Sequence, residues 1–297
     1  MSALLESYYA KRNAITRIRQ KSADLRKIVQ TALERNIKKY DLQLRQMEDT
    51  AKRDQYRIYG ELINTYGYNV PEGSKSFEAL NYYTNEIITI PLDPDITPLE
   101  NAKKYFDKYG KLKRTYEALE QLTKEVKSEI EHLESISNAL DIALLEEDLV
   151  QIKEELTESG YIRRKGNAKR EKITSKPFHY ISSDGFHIDV GKNNYQNEEL
   201  TFKMATGNDW WFHAKGIPGS HVIVKGEGED MLPDTTFEEA ARLAAHYSKA
   251  RDQEKVEIDY IQKKHVKKPG GGKPGFVVYY TNYSMMIDSN ISNIKEV

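Results

Sequence analysis

Apolar residues recur alternately three and four positions apart along the first sixty residues, the spacing that a coiled-coil helix requires. Ile15, Leu25 and Val29 belong to this seam, which shifts by one residue after Ala32 and then continues. Such a shift relaxes a supercoil locally without ending it. Because no proline or glycine occurs between positions 1 and 59, the pattern predicts one long helix.

A second seam of the same spacing runs from Ala102 to Leu156, with Gly110 as its only helix-breaking residue. Pro98 fits the first helical turn, where a missing backbone N–H is tolerated, and Thr97 is the expected N-cap. The sequence therefore predicts a second long helix that ends near Gly160.

Glycine and proline interrupt the stretch between the two seams, beginning with Gly60. Two helices of similar length around a compact insert favour an antiparallel coiled-coil hairpin over residues 1–160, with a tip at about 60–100. A parallel homodimer is the alternative. Four tip residues either contact a partner or form the tip's own small core: Tyr82, Tyr83, Ile87 and Ile88.

A basic segment follows the second helix and is predicted to link two domains across residues 161–176. Glu171 is its only acidic residue. Its candidates for contact with nucleic acid are Arg163, Arg164, Lys165, Lys169 and Arg170.

From Pro177 onwards the apolar pattern changes to that of short strands and helices. Asp184-Gly185 between two apolar runs predicts a β-hairpin. The chain as a whole is therefore expected to be α+β, with the coiled coil followed by a compact α+β domain at residues 177–297. Further predicted elements are strands at 210–214, 221–225, 255–262 and 276–281, a short helix at 197–205, and a longer helix from Thr235 to Arg251.

The composition limits the chemistry that is available. The chain contains no cysteine, which excludes a disulfide scaffold, a thiolate zinc site and a cysteine nucleophile. Its formal net charge is -1, so any basic surface must be local. No apolar run is long enough for a signal peptide or a membrane span, and we therefore expect a cytoplasmic chain with no membrane partner.

Residues 209–224, the Trp-His block, hold two tryptophans, two histidines and a Pro-Gly turn. The turn should bring His213 and His221 onto neighbouring strands. A zinc site needs further ligands that this spacing does not supply, and Ser220 lacks the G-x-S-x-G setting of a hydrolase nucleophile. Two interpretations stay open, a buried core strand and a platform on which RNA bases stack. The candidates for RNA contact in this block are Asp209, Trp210, His213, Lys215, Ser220 and His221.

Residues 263–275, the lysine loop, contain five lysines and a run of glycines without any acidic residue. Glycine lets backbone N–H groups approach phosphate closely, and lysine supplies the charge. The G-x-x-x-x-G-K-[ST] order of a Walker loop is absent. A solvated loop without a ligand is the alternative to nucleic-acid contact. The candidates here are Lys263, Lys264, Lys267, Lys268 and Lys273.

Several separate blocks of the second half, in their order and spacing, resemble the C-terminal R domain of the NFACT family. The resemblance covers roughly residues 160 to 297, and the coiled-coil hairpin is similar to the middle domain of the same family. The matching blocks are residues 191–194, 197–200, 209–213, 218–221, 247–249 and 266–275.

The resemblance implies a role in ribosome quality control. Members of the family bind large ribosomal subunits obstructed by peptidyl-tRNA, recruit alanyl-tRNA and direct the addition of a C-terminal alanine tail. The ribosome carries out the peptidyl transfer, so we expect no self-contained active site, no metal and no cofactor. The coiled coil is implied to reach ribosomal RNA and protein near the stalk base, and the R domain to hold tRNA. Older descriptions of the family name fibronectin as a partner.

The sequence departs from the family at its start, because Leu4 and Tyr8 already belong to the heptad seam. The family carries an N-terminal domain and a helix-hairpin-helix segment before the coiled coil, so we expect this chain to be a fragment. Two other functions stay open, an adhesin for an extracellular-matrix protein and a hydrolase that uses Asp209, His213 and His221.

Overall fold

The computed structural model describes residues 13, 15–164, 174–226, 228–229 and 231–297. The chain divides into two compact units, one formed by Met1–Glu34 with Ile130–Val297 and the other by Arg35–Glu129. The fold class is α+β, as predicted, because long helices are combined with a seven-stranded antiparallel sheet. Within the described residues, every helix is too short or too polar to span a lipid bilayer. The domain boundaries at residues 160 and 177 stay a prediction.

The first seam is helical, but it is not the unbroken helix that was predicted. Its described segments are residues 15–21, α1 (Ala23–Asp49) and α2 (Arg53–Tyr66). A 3-10 turn at Thr50–Lys52 separates α1 from α2. Thr50 Oγ1 donates a hydrogen bond to the Met47 carbonyl at 2.6 Å, and local bonds of this kind compete with the helical ladder.

Gly60 lies inside α2, although it was expected to begin the tip. The Phe106 ring packs so closely against it that a Cβ atom at this position would lie 2.9 Å from the ring. Glycine is therefore used here for close packing, and the helix continues to Tyr66.

The second seam forms two helices, α3 (Pro98–Ile142) and α4 (Glu146–Glu158), instead of one. The predicted cap is confirmed, because Glu100 N donates to Thr97 Oγ1 at 3.3 Å and Thr97 N donates to Glu100 Oε2 at 2.9 Å. The break before α4 is stabilised by Asp148, whose Oδ2 accepts from the backbone N–H groups of Leu144 and Leu145 at 3.0 Å each.

The two seams pack antiparallel within each unit. In the first unit, Ile18 and Val29 share a buried cluster with Leu133 and Leu140. In the second unit, the guanidinium of Arg53 lies 4.1 Å from the centre of the Tyr116 ring, while Tyr56, further along α2, stacks on the earlier Tyr105 at 6.0 Å. Opposite chain directions in these contacts confirm the hairpin pairing.

The tip of the second unit is a two-stranded hairpin of β1 (Ser76–Asn81) and β2 (Glu86–Pro91). It packs on α2 and α3 through a buried cluster that includes Leu62, Ile63 and Ile90.

The second half builds a seven-stranded antiparallel sheet. The strands are β3 (Phe178–Ile181), β4 (His187–Val190), β5 (Trp210–Ala214), β6 (Val222–Val224), β7 (Val256–Gln262), β8 (Tyr283–Ile287) and β9 (Lys295–Glu296). Their order across the sheet is β8-β7-β5-β6-β4-β3-β9. Gly185 has a φ of 94° in the turn between β3 and β4, which confirms the predicted hairpin.

Helices cover both faces of this sheet. On one face α6 (Asp234–His246) packs against Trp210 and Phe212. On the other face Trp211 lies in a cluster with Leu200, which belongs to a π-helical turn after α5 (Asn194–Glu199). The short helix therefore begins three residues earlier than predicted, because the Asn193 side chain caps it by accepting from Gln196 N at 3.0 Å.

The predicted strand at residues 276–281 is wrong. Val278 instead forms an isolated bridge with Lys267, and Val277 and Tyr279 pack onto the face of the sheet. The edge strand beside β7 is β8, which begins two residues after the predicted end of that segment. The predicted helix to Arg251 also ends early, at His246, because a turn built around Ser248 follows it.

Candidate nucleic-acid interface

The lysine loop leaves the sheet at the end of β7 and is held at its base. Val266 is buried, and Lys267 exchanges two backbone hydrogen bonds of 2.9 Å with Val278. Gly275, with a φ of 78°, passes so close to Asn194 that a Cβ atom would lie 3.1 Å from that backbone. The loop between these anchors carries its charges on a fixed frame.

The lysines of the loop differ in their partners. Lys268 Nζ lies 2.6 Å from Glu198 Oε1, and Lys263 Nζ lies 5.8 Å from the centre of the Phe202 ring. Lys264 and Lys267 are exposed, and neither forms an ion pair with any residue that the structure describes. These two cations are the ones most open to an anionic ligand.

The structure does not bring Lys215 to this loop. Lys215 follows the end of β5, and its Nζ lies 2.6 Å from Glu257 Oε1. Asp209 precedes the start of β5, where its carbonyl accepts from Lys263 N at 2.8 Å. Because a strand rises about 3.3 Å per residue, the length of β5 separates Lys215 from Lys263.

The basic segment after α4 is only partly described. Arg164 pairs with Glu154 of α4, and both Arg163 and Arg164 are exposed. Lys165, Lys169 and Arg170 lie outside the described residues. RNA contact by this segment stays a prediction.

Most of the Trp-His block is buried. Alternation along β5 directs Trp210 and Phe212 towards α6, where Trp210 meets the Phe237 ring edge-on at 4.8 Å. Trp211 is fully covered on the opposite face. Asp209, Ser220 and His221 are also buried, so Lys215 and the half-buried His213 are what this block offers to a ligand in solution.

The Pro-Gly turn does place the two histidines together, as predicted, with ring centres 5.4 Å apart. Burial lowers the pKa of His213 to about 4, and burial together with the neighbouring His213 lowers the pKa of His221 well below its ordinary value. Thr201 Oγ1 lies 2.7 Å from His221 Nδ1. Both rings are therefore neutral at pH 7 and carry no positive charge to attract phosphate.

Asp209 supports a turn and contacts neither histidine. Its carboxylate accepts hydrogen bonds from Thr206 N at 2.8 Å and Gly226 N at 3.0 Å, and Lys225 Nζ lies 3.3 Å away. Burial raises the pKa of Asp209, but these hydrogen bonds and the charge of Lys225 outweigh burial and lower it. The arrangement gives no support to a hydrolase that combines Asp209, His213 and His221.

The tip residues are placed in two ways. Tyr82, Tyr83 and Ile87 are exposed, while Ile88 packs against the core of the tip. The hydroxyls of Tyr82 and Tyr83 donate to Glu61 Oε2 at 3.2 and 2.9 Å. Both tyrosines are thereby tied to α2, and partner binding by the tip stays a prediction.

A buried polar network at residues 191–194 has no counterpart in the sequence analysis. Asn194 Nδ2 donates to Ser135 Oγ at 2.7 Å and to Glu155 Oε1 at 2.6 Å, and Lys192 pairs with Asp148 at 3.3 Å. Burial raises the pKa of Glu155 to about 7, although Asn194 and the charge of Lys273 lower it. The polar block Gly191-Lys192-Asn193-Asn194 was visible in the sequence, but its partners lie some forty residues earlier.

Comparison with known proteins gives two family models that match this chain. The model for the NFACT N-terminal and middle domains matches residues 1–175, and the model for the NFACT protein RNA binding domain matches residues 176–280.

The chain is similar along its whole length to curated bacterial proteins. It is 42% identical over 299 residues to the Rqc2 homolog RqcH of Streptococcus suis strain 05ZYH33, and 36% identical over 299 residues to that of Bacillus subtilis strain 168. These alignments cover 100% and 99% of this chain but 53% and 52% of the relatives. The chain therefore spans about half the length of these relatives.

A solved structure has the same fold. It is the C-terminal of the fibronectin/fibrinogen-binding protein from Streptococcus suis, which matches with a TM-score of 0.73 and 38% identity. The match covers 92% of this chain and 96% of the solved one.

Proposed function

The chain belongs to the NFACT family, and from that premise we propose that it is the RNA-binding part of a cytoplasmic ribosome quality-control factor. Its similarity to the RqcH proteins supports the quality-control role, and the match to an RNA-binding domain supports the RNA contact. The observation that carries the proposal is a pair of exposed cations, Lys264 and Lys267, on a loop anchored to the sheet, which form no ion pair with any described residue.

The ligand of this loop is the sugar-phosphate backbone of tRNA. Lysine contacts phosphate as a point charge, and the glycines at 270–272 let backbone N–H groups approach a phosphate oxygen without a side chain between them. Contacts of this kind position the nucleic acid and do not read its sequence. The neutral histidines and buried tryptophans of the Trp-His block stabilise the sheet from which the loop extends.

The larger assembly is an obstructed large ribosomal subunit. The antiparallel helices contact ribosomal RNA and protein near the stalk base, and the exposed Tyr82, Tyr83 and Ile87 of the tip are the apolar part of that contact. The chain supports alanine tailing by holding the alanine tRNA, and the ribosome performs the peptidyl transfer. It acts as a binding module and not as an enzyme.

Co-sedimentation with large subunits that carry peptidyl-tRNA tests this proposal. Lys264→Glu combined with Lys267→Glu should reduce at least tenfold the fraction of added tRNA that the chain retains on these subunits. The reason is that two phosphate contacts become repulsive. The matched control is Lys255→Glu with Lys295→Glu, two exposed lysines of the same unit outside the loop. An equal loss for both variants, or no loss for the first, contradicts the role of the loop.

Fibronectin binding is the second candidate, and one observation favours it: the solved relative carries that activity in its name. Antibody labelling of intact cells that express the full-length protein separates the two functions. Surface labelling comparable to that of a known surface protein would support the adhesin, and labelling only after permeabilisation would support the ribosomal role.

A further inference from the structure

A cavity of about 310 Å³ lies beside the lysine loop, between α3 and the sheet. Gly275 and Phe276, which follow the last lysine of the loop, form part of its wall. The lining that matters for binding is aromatic on the sheet side and acidic on the helix side: Trp211, His213, Phe276, Tyr279, Glu131 and Glu134.

The aromatic side of the cavity offers flat surfaces at stacking distances. The His213 ring lies 5.6 Å from Trp211 with 19° between the planes, and the Tyr279 ring lies 5.0 Å from Trp211. Phe276 and His213 are half-buried. The accessible parts of these two rings can stack on a further planar group, since aromatic faces stack on any π-surface.

Some polar groups of the cavity wall have no hydrogen-bond partner among the residues that the structure describes. Trp211 is completely buried, and its indole Nε1–H has no acceptor among the described residues. The carboxylates of Glu131 and Glu134 form no hydrogen bond or ion pair with any residue that the structure describes. A buried N–H without an acceptor is costly, so a ligand that supplies one is favoured. The cavity thus presents one donor and two strong acceptors.

We propose that this cavity binds a single unstacked nucleobase of the RNA that the lysine loop holds. A base edge carries a ring nitrogen or carbonyl acceptor next to an amino donor, which suits Trp211 Nε1 and the two glutamates, and its faces stack on the aromatic lining. An arginine side chain would satisfy the glutamates, but it has no acceptor for Trp211. The inference deepens the proposed RNA-binding function and rests on it.

The cavity should bind adenine, cytosine and guanine more tightly than uracil. Adenine, cytosine and guanine carry an exocyclic amino group for Glu131 and Glu134, whereas uracil does not. Because Trp211 Nε1 is covered in this structure, a side chain of the cavity wall must shift before a base reaches it. The phosphate of the same nucleotide then lies outside the cavity, on the side of the lysine loop.

The test uses uncharged nucleosides, so that phosphate contacts play no part. The chain has two tryptophans, and their indole N–H signals are read by NMR after 15N labelling and assigned with Trp210→Phe. Adenosine, cytidine and guanosine should shift the Trp211 signal and leave Trp210 in place, with uridine at least fivefold weaker. No shift of Trp211 at millimolar nucleoside overturns the inference. A shift with N-acetylarginine amide but with no nucleoside also overturns it and assigns the cavity to a cationic side chain.

A second variant checks the acidic side. Glu131→Gln with Glu134→Gln should weaken adenosine and cytidine binding about tenfold and remove the preference over uridine. Glu117→Gln with Glu125→Gln, two exposed acids elsewhere on α3, is the matched control. If nucleosides bind but the lysine variants leave tRNA binding unchanged, the cavity stands and the proposed role of the loop fails. If tRNA binding depends on the lysines but no nucleoside shifts Trp211, only the cavity fails.

Discussion

The Trp-His block and the lysine loop belong to the same sheet domain, yet they stand in opposite environments. Trp211 and Phe212 are completely covered, and His221 is almost so, whereas Lys264 and Lys267 are exposed. The block joins β5 to β6 at the centre of the sheet, while the loop leaves it near an edge. The aromatic residues and histidines of the first region are therefore mostly covered, whereas the lysines of the second present charge to solvent.

Substitutions in the Trp-His block and in the lysine loop should differ most in their effect on stability. Phe212→Ala removes a fully buried ring from the core under α6 and should lower the free energy of unfolding by about 3–5 kcal/mol. Lys267→Ala, at an exposed position, should change it by no more than about 0.5 kcal/mol. Urea denaturation measures both. Similar losses for the two variants would mean that the loop is as much a part of the core as the block.

The next effect concerns the buried polar network at residues 191–194. The ordinary pKa of Glu155 is 4.5 and burial raises it to about 7, so the folded state holds a proton that the unfolded chain has lost between these values. Stability should therefore fall as the pH rises from about 4.5 to 7, by at most about 3 kcal/mol.

Glu155→Gln should remove this dependence. The variant should match the unaltered chain at pH 5 and melt at a higher temperature at pH 8, because no buried charge forms. The neighbours that titrate or carry charge nearby are His132, Lys273 and Glu158. If both proteins show the same pH profile of the melting temperature, the raised pKa of the buried Glu155 carboxyl is contradicted.

The smallest effect distinguishes two lysines within the loop. Lys268 is paired with Glu198, so a phosphate must displace that carboxylate, whereas Lys267 has no such competitor in the part of the chain that the structure describes. Lys267→Ala should therefore weaken tRNA binding several-fold more than Lys268→Ala, and filter binding at fixed salt measures the ratio. A larger effect for Lys268→Ala would place the RNA on the other side of the loop.

The sequence predicts the elements of this fold well where the signal is local. The heptad seams, the Thr97 cap, the Asp184-Gly185 turn and the bounds of β5 are all found in the structure. Side chains alternate between two faces along β5, and both faces are covered, by α6 on one side and by the π-helical turn after α5 and the 277–279 segment on the other. The alternation of side chains along a strand does not show which face, if either, is exposed to solvent.

The candidate site was less predictable because its contacts join distant residues. Lys268 and Glu198 are 70 positions apart, and Asn194 meets Ser135 across 59. The apolar run at 276–281 has strand character, but Val278 pairs with Lys267 of the lysine loop. The edge of the sheet is therefore formed by β8. Such pairings depend on how the chain folds back, which no local pattern contains.

If charge on the lysine loop holds an RNA backbone, the affinity for tRNA must depend steeply on salt concentration. A plot of log K against log salt concentration should be linear and steep, and Lys264→Glu with Lys267→Glu should reduce its slope by about 2, close to one unit for each lost phosphate contact. The control Lys255→Glu with Lys295→Glu should keep the slope of the unaltered chain. An affinity that barely changes with salt, or a slope that both variants share, would contradict the account.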